Sequence, residues 1–572
     1  MEWRQIAAAR ALLEREKGWV KREWGSSLPV ALAYPNTYRV GMSSLALHGL
    51  YTWLNELPGV VCERAFASYE RHIAVDEAPM TLESQQPLRE AAILAFTLSF
   101  EPDYFHLIAM LRAAGVPVRA EERAQGDPLV LLGGPAVSAN PEPLSAIADA
   151  VLIGEAEEVL GPLLAMAREG WQGRRDALLR AWAALQGVYV PTQWNGAPVA
   201  RRWVRNLDDW PLASTIIAPD SEFGDMHLIE IARGCGHGCR FCLAGTLYRP
   251  PREHSLASVL EQARRGLERR RAFGLPAKLG LVSAAVSDYG AIDELVARLG
   301  ELGAPGEPPA LSVSSLRIAP LSLPVVRALR AGGSRTITLA PEAGSERLRR
   351  TINKCVTHDD ILAATDAVAR ERFETVKLYF MVGLPGEQDA DIDELVALAR
   401  EVKGRFPRNV VVNVTPFVPK AHTPFERAAL TPGVELNARL ARLRAALRSA
   451  RIELRAEGVD DARAQAILAR GDRALGDVLT QMPRPSGQRL ERALQQAGLD
   501  VEAYVGARPA DQALPWDVVD SGMTAQYRAR ELRKSIDGEL TAPCPPDHAR
   551  CRRCGVCAPD DAAQAGAGED GA

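Results

Sequence analysis

A chain of 572 residues with 68 Lys+Arg against 72 Asp+Glu carries a net charge of −4, which excludes a polycation built to coat nucleic acid or an anionic membrane. Its 47% hydrophobic content supplies cores for roughly three to four domains, and the 6% aromatic share offers no base-stacking platform. No window reaches about 18 uncharged apolar residues, so a transmembrane helix is not expected.

In chain order, residues 1–27 (MEWRQIAAARALLEREKGWVKREW and the turn after it) scatter charge through their apolar positions. They predict an amphipathic helix, not a signal peptide, and hence a cytoplasmic protein. Between 28 and 194, the apolar runs LPVALAYP (28–35), AAILAFTLS (91–99), PLVLLGG (128–134) and ADAVLIGEAE (148–157) are each followed by a helix-period segment. Near-continuous apolar strands alternating with helices predict a doubly wound α/β unit, a parallel sheet covered on both faces. Its ligands belong at the strand ends, in the turns YPNTYRVGMSS, TLSFEPDYF, GGPAVSANPEP and GEAEE. Residues 195–225 are rich in Pro, Asp and Ser and read as a linker. A second βα series over 226–428 has six candidate strands, at 227–234, 277–283, 310–317, 334–342, 374–383 and 408–417. That pattern predicts a partial (β/α)6 barrel with its site at the carboxyl ends of the strands. Residues 429–540 read as a helical C-terminal region, 541–558 as a cysteine-rich motif, and 559–572 as a disordered low-complexity tail.

Of nine cysteines, Cys62 and Cys355 stand alone and read as small buried hydrophobes. The other seven form two tight groups, and an odd total without an export signal argues against a disulfide framework. Cys235-Gly-His-Gly-Cys239-Arg-Phe-Cys242 follows the first strand of the second series. Three thiolates on one short loop suit three irons of a cubane cluster, whose fourth iron then lacks a protein ligand. Gly234, Gly236 and Gly238 let the backbone bend closely around such a group. Zinc would want a fourth ligand, and His237 sits between two cysteines, poorly placed to provide it.

This run, on that loop, resembles the radical S-adenosylmethionine superfamily over about residues 225–425. The resemblance implies a 4Fe-4S cluster whose free iron chelates S-adenosylmethionine. It also implies reductive cleavage to methionine and a 5′-deoxyadenosyl radical, and an electron donor of flavodoxin or ferredoxin type. Phe241 matches the aromatic position near the adenine. Glu342, Arg347 and Lys354 in LAPEAGSERLRRTINK, Glu387 in VGLPGE, and Ser283, Ser287 and Asp288 in VSAAVSDYG occupy the strand ends where cofactor contacts are expected. The N-terminal region, through GGPAVSANPEPLSAIADAVLIGEAEEVL (133–160), resembles the cobalamin-binding domain of one branch of the superfamily. There Gly133 and Gly134 would let a corrinoid approach the backbone. The D-x-H-x-x-G frame of cobalamin domains is replaced by Asn36-Thr-Tyr38-Arg-Val-Gly41. Any cobalt here would therefore lack a protein imidazole, and a vestigial domain that only packs on the barrel stays open.

The second group, Cys544-x6-Cys551-x2-Cys554-x2-Cys557, suits structural zinc or a second iron–sulfur cluster, with Arg550, Arg552 and Arg553 to offset its charge. Its WDVVDSG lead-in (516–522) resembles a family of cobalamin-type radical proteins that end this way, which implies no particular substrate. Arg264, Arg265, Arg269, Arg270 and Arg271 alternate with Glu261 and Glu268 and read as a solvated helix face, not an RNA groove. The expected function is a radical S-adenosylmethionine enzyme, with cobalamin-dependent methylation of an unactivated carbon as the favoured reaction. Methylthiotransferase-like sulfur insertion on RNA or protein is one alternative. A non-catalytic, metal-stabilised RNA-binding or assembly protein is the other.

Overall fold

The computed structural model describes residues 3–70, 72–73, 78–170, 173–303, 307–314, 316–545 and 551–557. The tail expected to be disordered, and Arg550, lie outside the described residues.

The N-terminal sheet has six strands: β1 (Leu28–Thr37), β2 (Val60–Ser68), β3 (Ile93–Thr97), β4 (Leu129–Gly133), β5 (Ala150–Leu152) and β6 (Val188–Tyr189). Their order is β2-β1-β3-β4-β5-β6, parallel up to β5, with β6 antiparallel at the edge. Strand order reverses at β1, so the crevice between the ends of β1 and β3 is the topological switch point where such sheets bind ligands. The helices Trp3–Arg15, Leu45–Glu56, Glu157–Gly170 and Arg175–Ala183 cover one face.

The other face is covered differently from what the sequence suggests. The local helices Asp103–Ala113 and Pro135–Ala139 supply part of it; the rest of the layer comes from Val459–Ala469, Arg473–Gln481, Gly487–Gln496 and Val501–Val505. Ile467, Leu475, Leu479, Leu490 and Leu494 share one core with Leu94, Phe96, Val130 and Leu132. Asn140 seals the junction, its amide donating to the carbonyls of Ala469 and Gly471 at 3.1 and 2.8 Å. Residues 459–505 of the C-terminal helical region are therefore a layer of the N-terminal sheet, whereas the helix Gly433–Ser449 packs on the barrel.

The barrel strands follow: β8 (His227–Glu230), β11 (Lys278–Val282), β12 (Ala310–Val313), β13 (Thr336–Glu342), β14 (Thr375–Val382), β15 (Asn409–Pro416) and β16 (Glu453–Ala456). All pair in parallel, in sections β8-β11-β12 and β13-β14-β15-β16. Six match the expected strands. The seventh, β16, falls in a stretch expected to be helical; it is a mostly exposed edge strand, ELRA, without the apolar run that marks its neighbours. The crossover helices pack against the strands around one core that includes Ile229, Leu281, Leu339, Leu378 and Val412.

The expected linker is ordered and tied to both sides. Within it β7 (Val199–Ala200) pairs with β17 (Val519–Asp520), and single bridges join Ile217 to Lys17 and Ala213 to Ile229. A small antiparallel hairpin, β9 (Ala232–Arg233) with β10 (Arg252–Glu253), frames the first cysteine group.

Candidate active site

The cysteine loop leaves β9 through Gly234, which has φ +86°; a Cβ there would collide with the carbonyl oxygen of Tyr248. Only glycine makes that turn without strain. The loop ends in the short helix Ala244–Leu247, whose Gly245 N–H donates to Cys242 Sγ at 3.3 Å. Two buried side chains clamp the loop. Asn353 donates to the carbonyls of His237 (2.9 Å) and Gly238 (3.1 Å), while Arg240 Nη1 donates to those of Arg350 and Thr351 at 3.0 and 2.9 Å. Arg240 also pairs with buried Glu531 at 3.2 Å. His237 donates from Nε2 to Asp288 at 2.6 Å, and Asp288 also faces Arg317 at 3.4 Å. The histidine thus anchors the loop to the turn after β11.

Burial pushes the Cys239 thiol up to about 12 against the opposing charge of Lys354, and burial also raises Cys235 and Cys242. A bound metal must displace those protons, so ligation and deprotonation are one event. Cys235, His237 and Asp288 each bring one ligand atom within 4.8 Å of the others, so the histidine–aspartate contact lies directly against the first cysteine of the loop.

Glu342 ends β13 at φ +69°, in the left-handed region, where a register shift interrupts the pairing with β14. A non-glycine residue held there is strained, and such strain gathers at functional positions. Its carboxylate lies 3.5 Å from Lys354 Nζ, and burial raises its pKa against that partner. Both charges act on Cys239. Phe241 packs with Leu348, Ile352, Leu384 and Phe417 behind the loop.

Arg347 and Glu387 are already engaged. Arg347 pairs with Asp391 and donates to the Gly386 carbonyl, and Glu387 accepts from the Gly383 N–H and from Arg439, each at 2.6 Å. Both brace the turn after β14. Sequence reasoning missed Asn353 and Arg240 as loop clamps; the one available signal was an arginine lodged between two cysteines of the loop. Cys62 is buried as expected, whereas Cys355 is exposed, because it lies past the clamp at Asn353.

A cavity of about 390 Å³ joins the two sheets. Phe96, Thr97, Leu131 and the Gly133–Gly134 turn form its wall on one side, with Gly234, Ala244 and Ser283 of the barrel on the other. Its volume is that of a small-molecule site, and its lining is mostly apolar. The two glycines differ in role. Gly134, at φ +106°, would drive a Cβ into the Leu98 carbonyl, whereas a Cβ on Gly133 would meet only Leu152 at 4.0 Å. Gly134→Ala is therefore expected to cost about 2 kcal/mol, read as a lower urea midpoint at unchanged slope. Gly133→Ala should leave that midpoint in place, and equal losses for both would refute the assignment. Tyr38 does not face the cavity: it is buried against Phe66 with its hydroxyl on Glu16.

A barrel of parallel strands with a three-cysteine loop after its first strand defines an enzyme that binds a cluster and its co-substrate at the barrel mouth. Comparison with known proteins agrees. Residues 229–399 match the radical SAM superfamily, and residues 46–191 match the N-terminal domain of radical SAM proteins. The uncharacterized protein MJ0966 of Methanocaldococcus jannaschii is 32% identical over 482 residues, covering 83% of this chain and 96% of that one. Among solved structures, the radical S-adenosylmethionine methyltransferase TsrM of Kitasatospora setae has a TM-score of 0.47 at 16% identity, covering 70% of this chain and 74% of its own. The cobalamin-dependent radical enzyme OxsB has a TM-score of 0.47 at 14% identity, covering 65% of this chain and 52% of its own. The chain belongs to the radical SAM superfamily, in the group that carries the N-terminal radical SAM domain. It is a radical SAM enzyme, with a 4Fe-4S cluster and S-adenosylmethionine as its cofactors, and such enzymes need a reductant. Among the described residues no helix is long and apolar enough to cross a membrane.

Proposed function

We propose that this enzyme methylates, or otherwise modifies, an unactivated carbon with the help of a corrinoid, and that Cys235, Cys239 and Cys242 ligate the cluster. The observation that carries this reading is the shared cavity: a ligand at the switch point of the N-terminal sheet would lie directly over the barrel mouth, beside the cysteine loop. The lining suits a cofactor held by shape. Leu32, Leu131 and Leu152 offer an apolar face, Gly133 leaves the backbone open, and no imidazole or thiol stands among the lining residues. That donor set fits a corrinoid without a protein axial ligand. A cluster supplies the single electron that splits S-adenosylmethionine, and a corrinoid supplies a transferable methyl group.

The chain's own residues do the rest. Phe241, Ser283 and Glu342 contact S-adenosylmethionine, with Lys354 holding the Glu342 carboxylate in reach. A buried acceptor beside a single ammonium is a ready partner for a second cation. Arg347 and Glu387 position the turn after β14 through Asp391 and Arg439. The apolar cavity wall keeps water from a reactive radical.

Anaerobic purification followed by iron, sulfide and corrin analysis and a dithionite-driven assay for 5′-deoxyadenosine tests the proposal. Bound corrin with turnover of S-adenosylmethionine is expected. Turnover with no corrin, even after reconstitution with cobalamin, would reduce the N-terminal sheet to a scaffold. Salt-dependent RNA binding without cleavage would instead support the non-catalytic alternative.

A further inference from the structure

We propose that Cys544, Cys551, Cys554 and Cys557 hold a second iron–sulfur cluster that relays electrons from the protein surface to the cluster on Cys235, Cys239 and Cys242. The inference rests on the cluster assignment made above for the first loop.

The two cysteine groups are in contact. The Cys544 N–H donates to the Gly236 carbonyl at 2.8 Å, and a Cβ on Gly236 would lie 3.2 Å from Cys544 Cβ. Gly236 is the neighbour of Cys235, so a single residue separates the first group from the second. All four tail cysteines face one chamber, closed by Gly236, Arg249, Tyr527 and Thr541. Asn353 spans both sides, donating to the His237 and Gly238 carbonyls of the loop and to that of Thr541 three residues before Cys544. Arg249 lies between the groups, its Nε on the Gly245 carbonyl at 2.7 Å and its guanidinium 5.6 Å from the Tyr527 ring centre. A buried guanidinium there offsets anionic thiolates on either side.

Four thiolates around one chamber suit zinc or a cluster, and direct contact with the first cysteine loop favours the redox-active group.

Cys544 touches the loop, and Arg530, Arg552 and Arg553 form an exposed basic rim beside the other three tail cysteines. That rim suits an acidic one-electron carrier protein of low potential. Each passage moves one electron. The carrier is oxidised by one, the tail cluster is reduced and then reoxidised, and the loop cluster is reduced by one, with no bond made or proton moved.

The test uses the full chain, purified anaerobically, in four forms: wild type, Cys235→Ser/Cys239→Ser/Cys242→Ser, Cys551→Ser/Cys554→Ser, and Arg552→Glu/Arg553→Glu. About eight irons are expected in wild type and about four in each cysteine variant. After dithionite reduction, the tail-only cluster should give an electron paramagnetic resonance signal indifferent to S-adenosylmethionine, and the loop-only cluster one that shifts with it. With a reduced flavodoxin as donor, the arginine variant, compared per iron bound, should reduce the loop cluster about tenfold more slowly at low salt. About one zinc and no iron in the tail-only variant would overturn the proposal while leaving the first site standing. An unchanged flavodoxin-driven rate in both the tail-cysteine and arginine variants would overturn the relay. A loop variant that loses no iron would instead sink the cluster assignment at Cys235, Cys239 and Cys242.

Discussion

Cys239→Ser is expected to reduce 5′-deoxyadenosine formation to background and to remove about four irons per chain. Neither lone cysteine can substitute for the central thiol: Cys62 is buried in the N-terminal core, and Cys355 is exposed beyond the Asn353 clamp. A serine hydroxyl in the same buried position is a far weaker acid than a thiol and a harder donor, hence a poor ligand for cluster iron. The fold should survive, because the loop is held by Arg240, Asn353 and the His237–Asp288 contact, none of which involves the Cys239 sulfur. Circular dichroism unchanged from wild type would separate ligand loss from unfolding. Cys355→Ser supplies the contrast and should keep both iron and turnover. Retention of iron and turnover by the Cys239 variant would refute ligation at this position.

Much of this architecture was legible because parallel strands buried on both faces must be apolar along their length. All six expected barrel strands form, within a few residues of their expected ends. The strand β2 escaped notice because VVCERAFAS carries Glu63 and Arg64 in its middle. Arg64 is fully buried there, between Glu16 at 2.7 Å and Glu83 at 2.7 Å, so an ion pair supplied from distant segments lets a charge occupy a core strand. The same Glu16 takes the Tyr38 hydroxyl, which draws that residue away from the cavity. The layer formed by residues 459–505 was equally hidden: amphipathic periodicity reports that a helix has an apolar face, not which sheet it will cover. At the site, three cysteines at fixed spacing were readable as chemistry. Asn353, Arg240 and Arg249 were not, since their roles depend on backbone carbonyls brought together from separate segments.

Arg233→Met should lower the unfolding free energy by about 3–5 kcal/mol at neutral pH, the cost of stranding buried carboxylates. Arg233 stands on β9, one residue before the glycine that opens the cysteine loop. Its guanidinium meets Glu157 at 2.7 Å, Glu230 at 2.8 Å and Glu155 at 3.0 Å, with Arg252 holding Glu155 from the other side at 2.6 Å. Glu155 lies in the turn after β5 and Glu157 opens the helix that follows it, so this network fastens the cysteine hairpin to the N-terminal sheet. Methionine restores the apolar volume but leaves Glu157 without its cation, facing the cavity. The pH dependence identifies the mechanism. Burial alone would raise Glu230, but Arg233 and His254 outweigh it and hold the carboxyl at about 2, below its ordinary 4.5. A folded value below the unfolded one stabilises above about pH 4.5, and that stabilisation drains away as pH falls toward 2. The gap between wild type and variant should therefore be widest near pH 7 and narrow steadily below pH 5, as Glu230 takes up its proton in the unfolded chain and in the variant. Urea unfolding at pH 7, 5 and 3.5 measures it. A loss under about 1 kcal/mol at pH 7, or a gap independent of pH, would show that the network does not clamp the two sheets together.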